Sequence, residues 1–346
     1  MSGNGKGSPP PINGKWHGKR YYSLEAFFKN RYGYRLRKIS FDAGFTCPNR
    51  DGTLDTRGCI FCSEGGSGEF AVPPSFLWHP AGSAPMTPRP DMLPTAKADR
   101  FPPVCQEPFV AYFQAYTNTY APVSRLERLY RSALEHPLAA GISIATRPDC
   151  LPEEVLKLLD RLKKDYPEKF LWIELGLQTI HKQTAVYIRR GYPLSCFARA
   201  VDALHGLSVP VIVHVILGLP GEDAAMMLQT VEYLNLLPVS GVKLQLLHVL
   251  KGTDLAADYE KGCFRTLSME EYLNILIRCI EHLSPDTVLH RVTGDGARDL
   301  LVAPLWSLEK KKVLHALHHR LKLQDSYQGK YWKGEKCHAA QTADYL

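Results

Sequence analysis

The chain has 346 residues, 45% of them apolar, and a net charge of +7, so it can bury a large core in one domain or two. No run approaches the roughly 20 apolar residues that span a bilayer, and the first residues lack the apolar core of a secretory leader. Nine cysteines, odd in number and irregularly spaced, argue against a secreted disulfide framework and fit a reducing cytoplasm.

In chain order, residues 1–13 are rich in Gly, Pro and Ser and read as a disordered N-terminus. Residues 14–37 form a basic aromatic arm. Positions 15–38 hold eight Lys or Arg against one acid, Glu25, a surplus equal to that of the whole chain. Trp16, Tyr21, Tyr22, Phe27, Phe28, Tyr32 and Tyr34 interleave these charges. Such a segment can bind a phosphate backbone and stack on bases, or it can bury its aromatics and leave its charges in water. A second basic stretch, Lys310–Lys322, adds weight to a nucleic-acid partner.

From about Lys38, strands alternate with helices, which predicts a parallel sheet or barrel. The strands expected are Lys38–Asp42, Pro108–Gln114, Gly141–Thr146, Leu171–Gly176, Val209–Leu217, Val242–His248 and Thr287–Val292. Several are continuous apolar runs, as in strands covered on both faces. Ser124 and Glu127 read as a capping box for a helix reaching Glu135, and Ser268 with Glu271 as another. Pro152 starts a helix with the stripe Leu151, Val155, Leu158, Leu159 and Leu162. Ser307 is expected to cap the last, basic helix. Ala71–Pro108 holds ten prolines, which makes an irregular segment of it.

The chemistry concentrates in Cys47, Cys59 and Cys62. A structural zinc site takes four protein ligands, and no second Cys-x-x-Cys pair follows. Three thiolates suit an iron–sulfur cubane with one iron left open for an external ligand. Cys-x11-Cys-x2-Cys, with Phe61 before the last cysteine, resembles the signature of radical S-adenosylmethionine (SAM) enzymes. The long first gap resembles the branch of the Elongator catalytic subunit, and more closely its YhcC/YtqA-type bacterial family. Further family-like motifs are Thr46-Cys-Pro-Asn-Arg-Asp-Gly-Thr53, Ala111–Pro122, Ala145-Thr-Arg-Pro-Asp-Cys-Leu-Pro152, Glu174-Leu-Gly-Leu-Gln-Thr179, Leu217-Gly-Leu-Pro-Gly-Glu222 and His290–Gly296. The likeness runs from about Gly14 to about Trp332, apart from the proline-rich segment, where the family has a helix.

The resemblance implies a partial (β/α)6 barrel at 38–250 and a C-terminal α/β accessory domain at 251–346. It implies a [4Fe-4S] cluster on Cys47, Cys59 and Cys62, with SAM bound to the open iron and cleaved by one electron to a 5′-deoxyadenosyl radical. A flavodoxin or ferredoxin would supply the electron. The cofactor contacts implied are Phe61, Gln114, Tyr116, Asn118, Arg147, Gln178 and His214. His214 reads equally as a satisfied core histidine, and Arg147 as the ion-pair partner of Asp149. Arg291, Asp295 and Arg298, on a glycine-bearing loop after an apolar strand, are candidate substrate contacts or parts of a salt-bridged turn. Gly65–Gly68 reads as a cradle or a flexible turn, and His315, His318 and His319 as a solvated face. The substrate implied is tRNA, with the carboxymethylaminomethyl side chain of the wobble uridine trimmed to aminomethyl. A radical SAM enzyme for a small molecule or protein, and a non-enzymatic RNA- or zinc-binding protein, remain as alternatives.

Overall fold

A computed structural model describes residues 14–74, 107–294 and 296–334. The expectations for residues 1–13, for 75–106 within the proline-rich segment and for Asp295 lie outside the described residues. The described strands are β1 (Arg37–Phe41), β2 (Phe109–Phe113), β3 (Ala139–Thr146), β4 (Phe170–Gln178), β5 (Val211–Leu217), β6 (Gly241–Leu246), β7 (Val249–Leu250), β8 (Val288–Arg291) and β9 (Leu301–Ala303). Seven form one sheet in the order β1-β2-β3-β4-β5-β6-β8, and every neighbouring pair is parallel. The sheet curls into a half-barrel, and all seven expected strands are in it. It continues past residue 250, since β8 pairs with β6. The antiparallel pair β7–β9 was not legible in the sequence, because two- and three-residue strands carry no periodicity.

The described helices are α1 (Leu24–Tyr32), α2 (Val123–Glu135), α3 (Glu153–Asp165), α4 (Lys182–Tyr187), α5 (Leu194–Gly206), α6 (Ala224–Leu234), α7 (Asp254–Glu260), α8 (Met269–His282) and α9 (Lys310–Leu323), of which α2, α3, α5, α6 and α8 pack their apolar faces into the main core with the sheet. The stripe Val155, Leu158, Leu159 and Leu162 of α3 is fully buried against the sheet, as its spacing requires. At α8 the Ser268 hydroxyl accepts from the Glu271 amide and the Glu271 carboxylate accepts from the Ser268 amide, so this capping box forms in both directions. The other two expected caps do not form. α2 begins at Val123 with Pro122 as N-cap, and Glu127 pairs with Arg131 and Arg161 instead. Ser307 lies in a 3-10 turn and donates to Pro304 O at 2.8 Å, while Glu309 occupies the N-cap of α9.

The basic arm is built into the fold. The Ser23 hydroxyl caps α1, and Leu289 N donates to Tyr22 O at 2.8 Å, so the arm lies along the β8 edge. Phe28 stacks on Trp172 at 5.8 Å and 9°, in a cluster with Leu36, Val110, Phe170 and Ile212 that closes the N-terminal end of the sheet. Of the seven arm aromatics only Tyr34 is exposed. Lys19, Lys29 and Arg35 all pair with Glu25, Lys15 pairs with Asp286 and Arg20 with Asp325. Trp16, Tyr21 and Phe28 of this arm are therefore used for packing. No described helix is long and apolar enough to cross a membrane.

Candidate active site

The loop after β1 carries the three cysteines at the C-terminal end of the sheet, where parallel α/β folds gather their reactive groups. Its shape comes from residues inside the motif. Arg50 N donates to Cys47 O at 2.8 Å, Gly58 N to Asn49 O at 2.6 Å and Cys62 N to Cys59 O at 3.0 Å. The Arg50 guanidinium donates to the carbonyls of Cys62 and Ser63, which folds the second half of the loop back on the first. Asn49 is buried; its amide donates to Arg189 O at 2.6 Å and to Cys59 Sγ at 3.4 Å. The hydrogen bond from the Cys62 thiol holds Cys59 below the usual thiol range, helped by Arg147, Asn49 and Arg189, and the same bond pushes Cys62 upward.

The segment after β2 clamps this loop. Tyr116 N donates to Gly66 O at 3.0 Å, the Tyr116 hydroxyl donates to Glu64 O, and the Gln114 amide donates to Ser67 O at 3.2 Å. Gly66 has φ +57°, and a Cβ there would run into the Tyr116 ring. The glycine run is thus a close-packed joint.

A cavity of about 660 Å³ opens under the loop, and Cys47, Cys59, Cys62 and Phe61 line its rim. Gln114, Tyr116, Arg147, Gln178, His214 and Arg291 also line it. Asn118 does not; it is fully buried, and its amide donates to the carbonyls of Ala115 and Ala145. Arg298 is exposed and outside the lining, although its neighbours Gly296 and Ala297 belong to it. Arg147 forms the ion pair with Asp149, through two hydrogen bonds of 2.9 and 2.7 Å, and also lines the cavity. Gln178 ends β4 at φ +64°, a strained conformation for a side chain of this size, and its Oε1 is buried without a hydrogen-bond partner.

Deeper in the half-barrel lies a charged cluster. The fully buried Glu174 of β4 accepts from Lys38 of β1 and Ser143 of β3, each at 2.6 Å, on Oε1. On Oε2 it meets His214 Nε2 of β5 at 2.7 Å and the ammonium of Lys243 from β6. Lys243 also donates to the Tyr112 hydroxyl of β2 at 2.9 Å. Burial works against the Glu174 charge, but Lys243 and Lys38 prevail and hold its carboxyl well below the usual range. Burial, reinforced by Lys243, drives His214 down to about 4, so at neutral pH its Nε2–H donates to Glu174. Burial, reinforced by Lys38 and Arg291, brings Lys243 down to about 7 against the pull of Glu174. Of this cluster only His214 was anticipated. The available signal was a charge in mid-strand: Glu174 after Leu-Trp-Ile, and Lys243 between Val242 and Leu244.

Among the described residues no three His, Cys, Asp or Glu side chains converge on a point that could hold a single metal ion. A cubane needs no such convergence, because each thiolate takes a different iron. Three rim thiols, with Gln178 lining the same cavity and keeping a buried, unpartnered oxygen, fit a cluster with an organic ligand beside it. The profile of the Radical SAM superfamily matches residues 56–234, and that of the Radical SAM C-terminal domain matches 239–323. The chain belongs to the radical SAM superfamily. A [4Fe-4S] cluster and SAM are accordingly its cofactors, and the reading as a non-enzymatic zinc protein gives way. This radical SAM protein is 40% identical over 319 residues to the uncharacterized protein YtqA of Bacillus subtilis, covering 91% of this chain and 94% of that one. It is 27% identical over 146 residues to the tRNA uridine(34) acetyltransferase of Methanocaldococcus jannaschii, covering 41% of this chain and 26% of that one. Its fold is similar to the solved structure of the archaeal Methanocaldococcus infernus Elp3 with an N-terminal deletion. That match has TM-score 0.55 and 15% identity, and it covers 64% of this chain and 55% of that one.

Proposed function

We propose that this radical SAM enzyme modifies tRNA at the wobble uridine, trimming a carboxymethylaminomethyl side chain to aminomethyl. Hydrogen abstraction from the carbon between nitrogen and carboxylate, return of one electron to the cluster and hydrolysis of the resulting imine would break the C–N bond. The two carbons would be released as glyoxylate, with SAM as the net oxidant. The likeness over 146 residues to a protein named for uridine 34 of tRNA carries this reading. The basic helix α9 supports it, because Lys310 at its start lines the cavity while Lys311, Lys312 and Lys322 are exposed beyond. Exposed cations next to the cavity can attract a phosphate backbone. The basic arm contributes less to RNA binding than its composition promised.

In this reading Cys47, Cys59 and Cys62 ligate the cluster. Cluster and SAM together supply a one-electron route to breaking an unactivated C–H bond. The chain's own residues hold and enclose. Phe61 would pack beside the adenine, Gln178 would contribute a polar contact, and Arg147, held by Asp149, would meet the cofactor carboxylate. Gln114 and Tyr116 hold the cysteine loop as well as lining the cofactor, Asn118 shapes the turn behind them, and Arg291 faces the substrate. A flavodoxin or ferredoxin in the cytoplasm supplies electrons.

The test is anaerobic reconstitution with iron and sulfide, reduction with SAM, and assay of 5′-deoxyadenosine with and without bulk tRNA, followed by nucleoside analysis of the tRNA. Product that rises with tRNA, and aminomethyluridine replacing its carboxymethylated precursor, is the expected result. SAM cleavage indifferent to tRNA would move the substrate to a small molecule or protein.

A further inference from the structure

The charged cluster beneath the rim has a composition that the cofactor does not explain. Glu174 is one carboxylate serving two ammonium groups, Lys38 and Lys243, and its four near partners already occupy both oxygens. His214 brings no negative charge. Lys243 is 4% exposed, yet it lines the cavity. An ammonium has three donors, and Glu174 and Tyr112 take two of those on Lys243. Burying a cation in excess of its counter-charge is costly, which is why burial weakens the Lys243 ammonium, and an anion brought against it would restore its full charge. Glu174 stands four residues before Gln178 on β4, at most roughly 13 Å of extended strand, so the cluster lies below the cofactor level in the same cavity.

We infer that Lys243, braced by Tyr112 and Glu174, is a binding site for a carboxylate carried by the substrate. The ligand class is an aliphatic carboxylate on a short flexible arm, entering from the cysteine rim. Arg291 lines the same wall and adds positive potential. Tyr112 and Glu174 fix the ammonium in place, so the ion pair forms with little ordering cost. The inference rests on the radical SAM reading for the position of the cofactor. The proposed carboxymethylaminomethyl group would supply one such carboxylate.

The test uses the reconstituted holoenzyme with SAM and two probes lacking any nucleoside, N-acetylglycine and its neutral amide, with binding followed by ligand-detected NMR. The acid should bind about tenfold tighter than the amide. Lys243→Met should remove that preference while SAM affinity and the cluster absorbance stay as in the parent, and Lys243→Arg should restore part of it. Equal binding of acid and amide, no binding of either, or a preference that survives Lys243→Met would each overturn the site. The tRNA reading fails separately. If tRNA is not modified but the acid is preferred through Lys243, the carboxylate site stands and its substrate is another acid.

Discussion

The rim and the floor of the cavity are built by opposite strategies. The rim is local: residues 47–63 fold on one another through Arg50, Asn49 and backbone amides, and one neighbouring segment clamps them. The floor is assembled from β1 through β6, with Lys38 and Lys243 more than 200 residues apart meeting on one carboxylate. The rim presents soft ligands that can be exchanged without disturbing the core. The floor is a buried charge network whose members depend on one another, so chemistry and stability should separate between the two.

The largest contrast is expected from Cys59→Ala. SAM cleavage should vanish, read as 5′-deoxyadenosine, while the denaturation midpoint of the cluster-free protein stays near that of the parent. An unfolded Cys59→Ala variant would erase the distinction between the regions. Glu174→Ala should do the reverse. It leaves the buried Lys243 and the half-buried Lys38 without their carboxylate, and loss of one partner of a buried pair costs about 3–5 kcal/mol, measurable by urea unfolding. Gly66→Ala tests the joint that fastens the rim. The left-handed backbone and the Tyr116 ring should cost about 1–3 kcal/mol, with lower iron incorporation on reconstitution as the second readout.

The smallest effect expected is a pH dependence belonging to the floor. His214 is held at about 4 in the folded chain, below its ordinary 6.5, so between these values the unfolded chain binds the extra proton. Its contribution to stability is complete above about 6.5 and declines as pH falls toward about 4, with a slope of at most about 1.4 kcal/mol per pH unit. Denaturant unfolding of the parent and of His214→Gln across that window should show the slope reduced in the variant. Equal slopes would show that His214 does not titrate with folding.

Much of this molecule was legible before folding. Continuous apolar runs located seven strands, and the i, i+3, i+4 stripe of α3 located its buried face, because burial and periodicity are properties of adjacent residues. The Cys47–Cys59–Cys62 spacing pointed to the cluster for the same reason. Capping was legible only where nothing competed. Ser268 caps its helix, whereas Pro122 takes the N-cap of α2 two residues before Ser124, and Glu127 is drawn to Arg131 and Arg161. The arm's composition allowed two roles, and packing on Trp172 and Phe170 shows that Phe28 takes the structural one.

What the linear chain could not express is which alternate residues of separate strands share a layer. Parallel register sets His214 beside Lys243 and Tyr112 beside Ser143, and the inward curl carries Lys38 to Glu174. Spacing along the chain determined the rim's ligand set, because its three cysteines and the Arg50 and backbone bonds that fold them lie within residues 47–63, while Arg189 and the segment after β2 fasten it from afar. Only the tertiary structure decided the floor, because a charge in mid-strand acquires its partners, and its reason for being there, from strands far away in sequence.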